Sequence, residues 1–71
     1  MENEFKMGDK VVWNFVVEVA EENGVVVGLD GDRVEVEYVG PVLGGGSKVY
    51  REWLNVDEVM LESEYDSKYF L

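Results

Sequence analysis

The sequence contains no cysteine and no histidine. That excludes a disulfide staple and a thiolate or imidazole metal site, and it removes the usual nucleophile and the usual general base of enzymes. Isoleucine and threonine are also missing, and the single proline is Pro41. No apolar run approaches the ~18 residues that a membrane-spanning helix needs. Bases are scarce: 6 Lys and Arg stand against 16 Asp and Glu, for a net charge of −10. Nucleic acid and anionic membranes repel such a chain, so direct binding to either is not expected. The opening residues Met1-Glu2-Asn3-Glu4 are acidic, unlike a secretory signal. With no cysteine as well, the expected location is cytoplasmic.

What the chain does have is valine and aromatic rings. Its 71 residues are 46% hydrophobic, enough for one packed domain spanning 1–71. Branched and aromatic side chains fit a pleated, half-buried surface, so the expected class is all-β. A domain this small buries only about 60% of the surface its unfolded chain exposes. Its stability must come from core packing, a partner or self-association.

Period-two patterning places the strands. Residues 10–20 put Val11, Trp13, Phe15, Val17 and Val19 on one face and Val12, Asn14, Val16 and Glu18 on the other. Glu21-Glu22-Asn23-Gly24 reads as a turn, because Asn-Gly suits a tight hairpin. Residues 25–29 form a second strand, with Gly28 marking a bulge or bend. Asp30-Gly31-Asp32 is the next turn, and residues 33–39 alternate Val34, Val36 and Tyr38 against Glu35 and Glu37. A glycine-rich loop over 40–47 leads to a strand over 48–53. The stretch 54–58 suits one helical turn, Val59-Met60-Leu61 a short fifth strand, and 62–71 an acidic, aromatic tail.

Phe5-Lys6-Met7-Gly8-Asp9-Lys10-Val11-Val12 resembles the opening of SH3-like small barrels of the Tudor and KOW kind. Gly24-Val25-Val26-Val27-Gly28 followed by Asp32-Arg33-Val34-Glu35-Val36-Glu37-Tyr38 is similar to their central strand pair, and residues 53–61 to their closing turn and strand. The resemblance implies a small SH3-like barrel of about five antiparallel strands, acting as a binding module. Tudor-like barrels bind methylated Lys or Arg in an aromatic cage; KOW-like ones bind RNA or proteins. The bases here are too few and too scattered for an RNA face.

Two chemical motifs fail on inspection. Gly44-Gly45-Gly46-Ser47-Lys48 has Ser and Lys in the wrong order for a phosphate loop, and a strand follows instead of a helix. Asp30-x-Asp32 begins like a calcium loop, but Val34 and Val36 stand where further oxygen ligands are required. Ser47, Ser63 and Ser67 fall in loop or tail, and no cofactor or metal is expected.

The remaining leads are acids and rings. Glu21, Glu22, Asp30, Asp32, Glu35 and Glu37 are expected on adjacent turns and on the outward face of one hairpin; Asp57, Glu58, Glu62, Glu64 and Asp66 form a second group. Trp13 and Phe15 are expected in the core, leaving Tyr50 and Trp53 as a surface pair. The expected function is a non-enzymatic module that uses the acidic face, with Tyr50 and Trp53 as anchors, to engage a basic protein surface. Its rivals are a nucleic-acid mimic that inhibits a DNA- or RNA-handling enzyme, a Tudor-like reader of methylated Lys or Arg, and a homo-oligomeric subunit (at its simplest a homodimer) built on the tail.

Overall fold

A computed structural model describes residues 4–17 and 19–69, the side chains of 67–69 aside. It contains strands β1 (Lys10–Val16), β2 (Val19–Asp30), β3 (Arg33–Pro41) and β4 (Ser47–Asn55), a 3₁₀ turn (Val56–Glu58), β5 (Val59–Leu61) and helix α1 (Glu62–Tyr69). All neighbouring strands are antiparallel, in the order β4-β3-β2-β1-β5. The first four make a meander, and β5 returns to the free side of β1. β4 and β5 end the order without pairing, so the sheet does not close into the barrel expected from the sequence.

The sheet nevertheless curls around a core. Val11, Trp13, Val26, Val34, Val36 and Val59 form one buried cluster drawn from four strands. Val11, Val34 and Val36 have 0% exposure. No second sheet is present among the described residues to cover them, so the curl and the residues Phe5, Leu54, Val56 and Leu61 packed on the cluster do so. Val12, one step out of phase with Val11 and Trp13, is buried outside this cluster, as is Tyr65 of α1. The helix lies against β1 and β5.

The Gly8-Asp9 opening acts structurally. Asp9 Oδ2 accepts from the Lys6 amide at 2.8 Å, Gly8 adopts φ +89°, and the amides of Gly8 and Val26 tie this turn to β2. Gly31 (φ +61°) turns the chain between Asp30 and Arg33 as the Asp-Gly signal predicts. The ladder slips between Val26 and Gly28, which is the bulge that Gly28 announced. The fifth strand falls at Val59–Leu61 as expected.

Besides the closed barrel, three further expectations fail. First, residues 21–24 are not a turn: Asn23 and Gly24 lie inside β2, opposite Val12 and Val11. The β1–β2 ladder instead runs out to Val16↔Val19. Gly24 is needed for space rather than for a positive φ, because a Cβ there would stand 2.8 Å from Cη2 of Trp13 and 2.5 Å from the Glu37 carbonyl oxygen. Second, Val17 and Val19 are 91% and 57% exposed rather than core-facing, and Phe15 is 39% exposed, its ring centroid 6.0 Å from that of Tyr65. Third, the tail is helical through Tyr69; Phe70 and Leu71 lie outside the described residues. Glu62 and Glu64 favour its first turn through the helix dipole, and the Tyr65 hydroxyl accepts from the Ala20 amide at 3.0 Å.

Val17 has φ +49°, a conformation that crowds a β-branched side chain and costs about 1–2 kcal/mol. Val17→Asn should therefore raise stability by about 1 kcal/mol, seen as an upward shift in Tm of about 4–8 °C. Gly24→Ala should lower stability by about 1–3 kcal/mol in denaturant unfolding, because one of the atoms met is backbone and cannot swing aside. A Gly24→Ala variant as stable as the parent would show that Trp13 does not need this gap.

Candidate functional site

Trp13 lies at one end of an aromatic row across the sheet. Its ring meets Tyr38 edge-on at 5.4 Å between centroids, and Tyr38 stacks on Tyr50 at 5.6 Å. The row follows from register. Tyr38 and Tyr50 are direct partners on β3 and β4, and they share a face with Val34 and Val36. The Lys48 ammonium sits 5.5 Å from the Tyr50 ring, and the Tyr50 hydroxyl donates to the Pro41 carbonyl at 3.1 Å.

Beside Trp13 and Tyr38 opens a cleft of about 340 Å³, lined also by Asn14, Glu22, Glu52, Leu54 and Glu58. Strand pairing places the carboxylates. Glu22 is opposite Trp13, and Glu52 is two residues from Tyr50 on the same face of β4. Glu58 ends the 3₁₀ turn and accepts hydrogen bonds from the Asn55 amide (3.2 Å) and side chain (2.9 Å), which fixes its position. Asn14 has φ +60°, a geometry that asparagine accepts more readily than most residues. Backbone in such regions concentrates at binding sites. Among the described residues, no basic side chain lines the cleft.

The Tyr38 hydroxyl donates to Glu52 Oε2 at 3.3 Å. Desolvation, then the negative charge of Glu52, the hydrogen bond to it, and the nearby Glu22 and Tyr50 push the phenol above its ordinary value of 10.0. The cleft is therefore lined by two aromatic rings and three carboxylates. Such a surface attracts a cation by the ring quadrupole and by charge.

The sequence-derived residues scatter. Glu22 and Tyr50 belong to this region. Trp53 does not: it differs from Tyr50 by an odd number of positions, so it lies on the opposite face, opposite Glu35. The Arg33 guanidinium already sits 5.9 Å from its ring. Glu35 and Glu37 share that opposite face, where Glu37 Oε2 pairs with Arg51 Nε at 2.9 Å. Asp30 and Asp32 stand at the β2–β3 turn, roughly 30 Å along β2 from Glu21. The expected acidic hairpin face rested on a turn at 21–24, and with β2 continuous those acids fall at both ends and on both faces. Sequence reading does not single out Glu52, and it assigns Trp13 to the core, Tyr38 to the buried face of its strand and Glu58 to a second acidic group rather than to one site. Parity along β4 was the available signal: it puts Glu52, not Trp53, beside Tyr50.

Among the described residues, no group of three or more acids is placed to hold a metal, and no helix is long and apolar enough to cross a membrane. Comparison of the chain with protein families, curated proteins and solved structures finds no match.

The Tyr38 phenol should titrate above 10.0, visible as phenolate absorbance that Tyr38→Phe removes. Because the folded-state value is raised, the associated stability is complete below pH 10.0 and is lost as pH climbs through the folded-state value. Glu52→Gln should move the phenol down, since it deletes the charge. A titration unchanged in Glu52→Gln would contradict the contact.

Proposed function

We propose that this chain is a non-enzymatic binding module that accepts a cationic side chain of a basic partner protein in the Trp13–Tyr38 cleft. The observation that carries the reading is the coincidence of two rings with Glu22, Glu52 and Glu58 in one opening that, among the described residues, no basic side chain lines. Cation–π attraction of this kind is worth about 0.5–2 kcal/mol for a desolvated cation. The net charge of −10 would steer a basic partner in and speed encounter. A lysine, an arginine or a methylated form of either satisfies this chemistry, so a Tudor-like reader is a special case of the same site. The order of four meander strands, a 3₁₀ turn and a strand returning to β1 supports kinship with SH3-like barrels at the level of topology.

The nucleic-acid-mimic reading draws on a row of carboxylates along one face. Glu35 and Glu37 are such a row, about 7 Å apart, but Glu37 is paired with Arg51. The cleft gives the cation-binding reading the stronger support.

Trp53→Phe leaves Trp13 as the only tryptophan and makes its fluorescence the reporter. Titration with lysine- or arginine-bearing peptides should then give a saturable change that acetylation of the lysine abolishes. Glu22→Gln with Glu52→Gln should weaken binding by roughly tenfold or more without touching the buried core. Comparison of plain and trimethylated lysine peptides decides between a general basic partner and a methyl reader. No saturable response up to ~1 mM peptide would sink the proposal.

A further inference from the structure

The curled sheet leaves one long edge open. Among the described residues, β4 has β3 on one side and no strand on the other, over 9 residues, whereas the opposite edge, β5, has only 3. Half of the backbone groups of an edge strand point away from its neighbour and present a template for another strand. In a strongly acidic chain β4 is also the one edge with a positive balance, since it carries Lys48, Arg51 and the single acid Glu52. It is the edge at which a second copy meets least repulsion.

We infer that β4 pairs antiparallel with β4 of a second copy, in the register that sets Tyr50 against Tyr50. Side-chain complementarity selects this register. It places Lys48 directly opposite Glu52 of the second copy, twice by symmetry, on the face that carries the aromatic row. On the other face, Val49 meets Arg51 of the second copy. Trp53, opposite Ser47 of the second copy, reaches diagonally to its Val49, and these two apolar side chains are 42% and 54% exposed in the single chain. Neighbouring registers lose this match. One sets Arg51 on Arg51, a further step sets Glu52 on Glu52, and a step the other way, with Val49 on Val49, leaves Lys48 facing Tyr50 and no opposed charges in register.

The two-fold axis of such a pair runs perpendicular to the sheet, so both copies turn the same face to the same side. The two Trp13–Tyr38 clefts then open on one continuous ten-stranded surface. A partner with two basic side chains would engage both, and avidity would exceed either contact alone. The dimer and the cleft share Glu52, which lines the cleft and faces Lys48 of the second copy, while the pairing of the two β4 backbones needs nothing bound in the cleft.

Sedimentation velocity of the full chain tests the pairing. A dimer is expected at about 100 µM and above. Lys48→Glu and Glu52→Lys, made singly, each set like charges opposite one another and should weaken dimerisation roughly tenfold or more. The two substitutions together re-create the opposed pair with its signs exchanged and should restore it. Circular dichroism on each variant separates lost pairing from lost folding. A monomeric parent chain at that concentration, or a double variant as weak as the single ones while still folded, would overturn the inference. Peptide titration of the Lys48→Glu variant, which alters no residue lining the cleft, reads the cation site separately, so loss of the dimer and failure of the cation site give different results.

Discussion

The position of Trp13 over Gly24 is the contact on which the rest depends. The indole is 5% exposed and belongs to the buried cluster, yet its ring also walls the cleft and meets Tyr38 edge-on. It can lie there because residue 24 has no side chain: a Cβ would come within 2.8 Å of Cη2. The gap sets the β1–β2 register, with Val11 opposite Gly24 and Trp13 opposite Glu22. That register brings Glu22 to the cleft. Fold and site thus share one side chain, which is economical in a chain too small to devote separate layers to each.

The same contact explains the strained turn. Asn23-Gly24 is by local chemistry the better place to reverse the chain, and Val17 one of the worse. Reversal at 23–24 would swing Gly24 from beneath Trp13 and would end β1 pairing elsewhere. Packing of one large ring outweighs about 1–2 kcal/mol of local backbone cost at Val17. Propensity yields to tertiary burial here.

Legibility in the sequence followed the same division. Features set by local chemistry were readable: the Gly-Asp turn before β1, the Gly31 turn, the Gly28 bulge, the alternation of Val34, Val36 and Tyr38, and the strand at Val59–Leu61. Features set by distant packing were not. Helix α1 has a polar sequence, ESEYDSKY, and among its described side chains only Tyr65 is buried, so no apolar stripe announced it. The openness of the sheet was hidden for the same reason, since strand count does not specify closure. Half of the site was legible in principle. Parity on β4 joins Tyr50 to Glu52, and the partnership of Tyr38 with Tyr50 follows from a hairpin around the glycine loop. Bringing in Trp13 and Glu58 requires the curl, which no local pattern encodes.

The length of β5 decides why one edge stays open. Three residues span about 10 Å, whereas the nine of β4 span about 30 Å. Even if β5 swung across to β4, two thirds of that edge would remain bare. Extending β5 would require residues 62–66 to leave the helix and give up the burial of Tyr65 and its bond to the Ala20 amide. The helix that secures β1 therefore withholds the strand that would close a barrel. Protection of β4 falls to its own side chains, Lys48 and Arg51, which discourage indiscriminate pairing because most strand edges offer them no opposing acid in register. An edge guarded by charge admits only a complementary edge, and on this chain the complement of Lys48 is Glu52 of the same strand.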